Sequence, residues 1–243
     1  MRIAGCWPVL MPRTPRADEA DGLYHALNRG NSRAAIFRKE ADYEAFERIL
    51  SEGLARYPVQ LFCYQLMPNH WHLVLRPTQD GEMSRFLRWV TATHTMRYHA
   101  HYHTSGTGHV YQGRFKSFPI QDDAHFLTVC RYVERNALRA ELTARAEDWR
   151  WGSLWRWQQS IEPVPALLSP WPIPRSPHWL ARVNEPLTDR ELIALRRSAQ
   201  RGSPFGDSAW IESTAQRLGL APTINPRGRP QVRFNDKSDN DDA

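Results

Sequence analysis

Along the chain the spacing of apolar positions switches between a period of two and a period near 3.6, and each switch marks an element. Leu23 to Asn28 alternates and then meets Arg29-Gly30-Asn31, which predicts a strand ending in a turn. Over residues 40–56, Ala41, Ala45, Ile49 and Leu50 fall at helical spacing beside Tyr43, Phe46 and Leu54. Pro58 opens a strand from Val59 to Met67, and Pro68-Asn69 turns the chain into a second strand, His70 to Leu75. Residues 82–102 return to the helical period, with Met83, Phe86, Leu87, Val90, His94 and Tyr98 along one side. A glycine-bearing loop at 104–108 leads into Val110 to Ile120, which alternates weakly. Asp122-Asp123 then opens a helix over residues 124–139, where acidic side chains suit the positive end of the helix dipole. The order strand, helix, strand, strand, helix, strand, helix predicts an α+β domain with an antiparallel sheet and packed helices.

Past residue 159 the pattern thins. Seven prolines between Ser160 and Leu187 indicate a linker or an extended wrapping segment. Two short helices are expected at 188–199, with Thr188 as cap, and at 208–218. The expected organisation is a disordered leader (1–17), a main domain (18–159), a Pro-rich linker (160–187), a small helical C-terminal extension (188–232) and an acidic disordered tail (233–243).

Charge narrows the field of partners. The net charge is +6 and the pI about 9.5, although the tail after Phe234 holds four Asp and one Lys, so the body is more basic than the total. Such a surface attracts nucleic acid or other polyanions by releasing counterions. Several of the ten Trp stand beside Arg, as in Arg88-Trp89, Trp149-Arg150-Trp151 and Trp155-Arg156-Trp157, a pairing that suits either base stacking or the lid of a core. The three cysteines are too scattered for a disulfide framework or a zinc knuckle. No run of about 18 apolar residues exists, so no membrane partner is expected. Pro8 and Pro12 break the apolar stretch Ile3–Met11, which is too short for a signal peptide. The expected location is cytoplasmic, associated with the nucleoid.

Two segments can carry chemistry. In a strand, His70 and His72 project from one face while Trp71 points to the other, and two imidazoles side by side suit a divalent metal. The competing reading is a pair of structural histidines. On the helix at 124–139, Phe126, Val129, Cys130, Val133 and Ala137 form the apolar side, and Tyr132 and Asn136, four apart, share its flank. A phenol can attack phosphorus while a carboxamide oxygen completes a metal shell; the alternative is a half-buried packing tyrosine. Arg131, Arg135 and Arg139 fall on the more exposed side of that helix, as phosphate contacts or as a solvated face. Arg114 and Lys116 leave the same two readings open.

Taken together, five segments resemble a known family. Met67-Pro68-Asn69-His70-Trp71-His72-Leu73 is similar to the His-hydrophobic-His strand of HUH single-strand endonucleases. Asn28-Arg29-Gly30-Asn31, Tyr111-Gln112-Gly113-Arg114-Phe115-Lys116-Ser117, Tyr132-Val133-Glu134-Arg135-Asn136 and Trp149-Arg150-Trp151-Gly152-Ser153 resemble motifs of the REP-associated tyrosine transposases, within the IS200-like, single-tyrosine superfamily. The resemblance spans residues 20–158 in matching order. It implies a ferredoxin-like domain that cuts and rejoins hairpin-associated single-stranded DNA through a 5′-phosphotyrosine, with Mg²⁺ or Mn²⁺. Carried onto this chain, Tyr132 is the nucleophile, His70, His72 and Asn136 are metal ligands, and Arg29, Arg114 and Lys116 contact DNA; Arg131 and Arg135 are expected to contact DNA from the basic face of their helix. Its partners are then single-stranded, palindromic DNA hairpins, with the protein acting as a monomer or homodimer. Ala137 stands where well-characterised members have Pro. The principal alternative is a domesticated transposase that binds nucleic acid without turnover; a zinc hydrolase is the third reading.

Overall fold

A computed structural model gives the structure of residues 17–160 and 166–225. Four strands, β1 (Leu23–Arg29), β2 (Val59–Met67), β3 (His70–Pro77) and β4 (Lys116–Ile120), form one antiparallel sheet in the order β2-β3-β1-β4. Helix α1 (Glu40–Leu54) joins β1 to β2, and α2 (Glu82–Tyr102) joins β3 to β4. This is the α+β order that the alternation predicts, in the ferredoxin-like βαββαβ arrangement that the resemblance implies.

The period of two decides which side chain goes where. Tyr24, Ala26, Trp71, Leu73 and Leu75 lie in the core under α1 and α2, where Phe46, Phe86 and Val90 meet them. The opposite sheet face, with Leu23, Cys63, Val74, Phe118 and Ile120, is covered by α3 (Ala124–Glu134) through Phe126, Val129 and Val133. Helices on both faces bury the sheet, so an imidazole projecting toward α3 is withdrawn from water along most of its length.

Two expected elements differ in extent. Of the strand expected over Val110–Ile120, only Lys116–Ile120 pairs continuously. Upstream, the chain bends around the end of β1, held by a bridge between Gly30 and Tyr111, by the Gln112 amide donating to the Arg29 carbonyl at 2.9 Å, and by Asn28 Nδ2 donating to the Gly113 carbonyl at 3.2 Å. The helix expected over 124–139 divides at Arg135 into α3 and α4 (Asn136–Arg139). Arg135 keeps helical angles (φ −80°, ψ −4°), so Tyr132 and Asn136 retain their shared flank.

Beyond the sheet come α5 (Ser153–Gln159), α6 (Trp179–Asn184), α7 (Asp189–Arg201), α8 (Ser208–Arg217) and α9 (Ala221–Ile224). The proline-rich stretch is held tightly where it is described: Ser169 donates to the Leu61 carbonyl at 2.7 Å, and Trp171 Nε1 donates to the Phe62 carbonyl at 2.8 Å. The Trp171 ring meets Phe126 and Trp179 edge-on, which extends the core over α3. The leader up to residue 16, the Arg227-Gly228-Arg229-Pro230 segment and the acidic tail lie outside the described residues. Among those described, no helix is long and apolar enough to cross a membrane.

Candidate active site

His70 and His72 share one face of β3, their ring centroids 5.0 Å apart, and are 9% and 3% exposed. Trp71 between them is fully buried on the other face, its Nε1 donating to the Tyr111 hydroxyl at 3.1 Å. Burial, reinforced by Arg29 and Arg139, lowers the pKa of His70 to about 4, and burial likewise holds His72 well below the ordinary value of 6.5. Both rings are therefore neutral near pH 7, the form that ligates a metal. His70 Nδ1 donates to Asn69 Oδ1 at 2.6 Å, which leaves the lone pair on Nε2.

His25 joins this pair, and the sequence reading did not single it out. It projects from β1 toward α3, fully buried, with Nε2 2.9 Å from His72 Nδ1 and the two rings stacked at 5.0 Å. Burial lowers its pKa to about 3. If His72 presents Nε2 to a metal, its proton resides on Nδ1 and is donated to His25. The only clue in the sequence was the alternation of β1; the strand register that brings the two rings together was not readable there.

Tyr132, on α3, is 8% exposed and stands edge-on to His72 with ring centroids 5.9 Å apart. Its hydroxyl makes no hydrogen bond among the described residues. The Arg139 guanidinium lies over the tyrosine ring, 4.8 Å from its centroid. Asn136 is buried with Nδ2 3.5 Å from His70 Nε2, while its Oδ1 accepts from Arg139 at 2.8 Å. The carboxamide nitrogen thus donates to His70 Nε2, and ligation of a cation by His70 and by Asn136 Oδ1 would require both this hydrogen bond and the Arg139 hydrogen bond to exchange.

These groups open onto a cleft of about 380 Å³, whose lining includes His70, His72, Tyr132 and five cations: Arg29, Arg114, Lys116, Arg139 and Arg196. Among the described residues, no acidic side chain lines it. The Arg29 Nε is buried there without a partner. A concentration of like charge with an unpaired donor fits a polyanion.

The structure brings Arg29, Arg114 and Lys116 to the cleft but not Arg131 or Arg135. Arg131 donates to the carbonyls of Glu185 and Pro186 at 3.1 and 2.7 Å, and Arg135 donates to those of Val183 and Asn184. Both guanidiniums cap the carbonyl end of α6, where cations are favoured, and neither lines the cleft. Arg139 faces the cleft instead. It lies seven residues after Tyr132, which on a helix returns to within about 20° of the same direction, so the periodicity did carry this signal. The Trp-Arg pairs are not part of the cleft either: Trp151 stacks on Tyr43, and Arg156 pairs with Glu47 at 2.5 Å.

Two neutral imidazoles fit a divalent cation, with His70 Nε2 engaged by no more than a 3.5 Å contact from Asn136 Nδ2. No cluster of three or more His, Cys, Asp or Glu among the described residues is arranged to hold one. A bound ion would therefore take further oxygen ligands from Asn136, water or the substrate.

Residues 20–136 match the family model described as IS200-like transposase. The fold is similar to the solved structure of the REP-associated tyrosine transposase bound to a REP hairpin: the two are 17% identical, the match covers 63% of this chain and 89% of that one, and the TM-score is 0.51. A Deinococcus radiodurans R1 protein described as a transposase is 16% identical over 51% of this chain and 96% of that one, at a TM-score of 0.37. No curated protein matches the chain. At these identities, what is shared with the first structure is the fold. The family match ends at Asn136, so β1 to β4, His70, His72 and Tyr132 lie inside it, while α5 to α9 lie outside.

Proposed function

We propose that this chain, whose residues 20–136 match the IS200-like transposase family model, is a transposase that cuts and rejoins single-stranded DNA by a transient covalent bond to Tyr132. The observation that carries the reading is the composition of one cleft, which holds an uncommitted phenol, two neutral imidazoles and five cations, with no carboxylate among its lining residues.

The chemistry follows from those groups. The phenol oxygen of Tyr132 attacks the phosphorus of a DNA phosphodiester and gives up its proton to solvent. The bond from phosphorus to the 3′ oxygen breaks, and that oxygen takes a proton to become a free 3′-hydroxyl. The 5′ phosphate stays on the tyrosine, so the phosphodiester energy is retained and another 3′-hydroxyl can reverse the step. His70 and His72, with Asn136, would hold a Mg²⁺ or Mn²⁺ ion, which when bound would supply Lewis acidity to the phosphate oxygens. Arg139, over the tyrosine ring and beside Asn136, places a positive charge where negative charge builds up on the phosphoryl oxygens. Arg29, Arg114 and Lys116 hold the strand by its phosphates. Because Tyr132 is only 8% exposed, a phosphate reaches it best on a strand freed from its complement, and duplex DNA is predicted to be a poor substrate. The related structure bound to a REP hairpin supports a palindromic hairpin with single-stranded flanks as the substrate class here.

The test uses labelled hairpins with single-stranded flanks and Mn²⁺ or Mg²⁺, comparing wild type with Tyr132→Phe. Both proteins are expected to bind, with affinity falling as salt rises, and only wild type to cleave. Cleavage by Tyr132→Phe would reject the tyrosine mechanism. Binding without cleavage by either protein, across several hairpins, would favour the domesticated binding protein.

A further inference from the structure

Helix α7 belongs to none of the matched family segment, yet it forms part of the cleft wall. Leu195 and Ser198 are buried, turning one side of α7 into the core over α3. Arg196, Ala199 and Gln200, spaced i, i+3 and i+4, form the row that lines the cleft. The other arginines near them are committed elsewhere: Arg197 donates to the Ile224 carbonyl at 3.1 Å, and Arg201 donates to the carbonyls of Pro222 and Asn225. Arg196 is exposed and has no hydrogen-bond or ion-pair partner among the described residues.

Helix α7 is fixed at both ends. Ahead of it, Arg131 and Arg135 grip the carbonyls of residues 183–186, and Thr188 starts the helix with a reciprocal cap in which the Glu191 amide donates to Thr188 Oγ1 at 3.2 Å and the Thr188 amide to Glu191 Oε2 at 2.7 Å. Behind it, Gly202 in the left-handed region (φ 72°) ends the helix, and the chain then joins the β4 edge. There Phe205 donates to the Pro119 carbonyl at 2.9 Å and Gln121 to the Phe205 carbonyl at 3.0 Å. A wall held this way fixes the Arg196 backbone at the cleft, and its side chain is free to reach an anion there. It adds a fifth cation to a space without acids, an arrangement that is repulsive unless an anion lies between.

We infer that Arg196 is a DNA-binding residue, contacting a backbone phosphate of the single strand that crosses Tyr132, so that the C-terminal extension completes the strand-binding cleft. The inference rests on the reading of that cleft as a DNA site. A positional role for α7 follows: the extension forms one wall of the strand-binding cleft, and strand grip depends on a segment outside the family core.

The test measures binding of a fluorescent single-stranded oligonucleotide to the full chain over a series of salt concentrations, for wild type, Arg196→Ala, Arg196→Lys and Arg197→Ala. Loss of one phosphate contact to a single strand makes the slope of log K against log salt shallower by about 0.7. Arg196→Ala is expected to show that change with an unaltered Tm, Arg196→Lys to restore the wild-type slope, and Arg197→Ala to leave it in place. In a scan with single methylphosphonate substitutions, one position that weakens wild type should leave Arg196→Ala unaffected. A wild-type slope in Arg196→Ala overturns the inference while leaving the transposase reading intact. So does weaker binding with a lower Tm and no rescue by Lys, which marks a structural residue. Salt-independent binding, or none, by wild type overturns both.

Discussion

The phosphoryl-transfer reading depends at the residue scale on charge held close to an uncharged nucleophile. Arg139 touches both the Tyr132 ring and Asn136 Oδ1, so Arg139→Gln removes the positive charge while keeping a hydrogen-bond donor. Loss of one preorganised group that stabilises developing charge costs about 10²-fold or more in rate, and the expected outcome is a drop of that order in single-turnover cleavage with strand binding reduced only modestly. Quench-flow with a labelled hairpin measures it, and an unchanged rate would remove Arg139 from the chemistry. The buried histidines give a second prediction. His25 titrates at about 3, His70 and His94 at about 4, and His72 well below 6.5, all because burial disfavours the imidazolium. The unfolded chain binds these protons as pH falls through about 6.5, whereas the folded chain does not until pH nears 4, so folding stability is present above 6.5 and is lost on acidification. Each such histidine contributes a slope of about 1.4 kcal/mol per pH unit in that window. Denaturant titrations of metal-free protein between pH 7 and 5 should show the decline, and a flat profile would mean that the imidazoles are not buried as described.

At the scale of elements, the turn after β1 both shapes the cleft and limits what the sequence can vary. A Cβ on Gly30 would stand 2.2 Å from the Ala34 carbonyl oxygen and 2.9 Å from Ile36 Cγ2, while the Asn31 amide donates to the Val110 carbonyl at 2.9 Å. Gly30→Ala is therefore expected to cost about 1–3 kcal/mol and to weaken DNA binding as well, since the segment from Tyr111 to Lys116 is anchored there. Thermal melts and binding assays on the same preparations check both effects. Much of this scale was legible from spacing alone. The alternation through His70, Trp71 and His72 gave the face of each ring, and the interval from Tyr132 to Asn136 survived the break at Arg135. What the sequence hid was pairing between elements. Arg131 and Arg135 look like a solvated helix face until α6, placed by Trp171 and Trp179 inside a proline-rich stretch, offers them its carbonyls. Likewise, Val110 to Gly113 alternates like a strand but is bent away by Asn28 and Arg29, contacts made through tertiary structure.

For the whole molecule, two layers of helices enclose the sheet, and the second layer is continued by residues C-terminal to the family segment. Arg131 and Arg135 tie α3, which carries Tyr132, to the chain leading into α7. Arg131→Ala combined with Arg135→Ala is expected to raise hydrogen exchange across residues 183–201 while leaving β1 and β3 protected. Equal exchange in wild type and variant would show that α7 is held by the β4 edge alone. Net charge belongs to this scale too: the surplus of positive charge was visible in composition, but its convergence on one acid-free cleft required the fold.

The central claim is that the phosphate released by cleavage is carried by Tyr132. Its most direct test is peptide mapping by mass spectrometry of the denatured product formed with a flanked hairpin and Mn²⁺, run in H₂¹⁸O. The account predicts a nucleotide joined through its 5′ phosphate to the peptide containing Tyr132, with no ¹⁸O in the trapped phosphate. Cleaved strands bearing ¹⁸O at the new phosphate and no modified peptide would contradict it, and would identify water as the nucleophile.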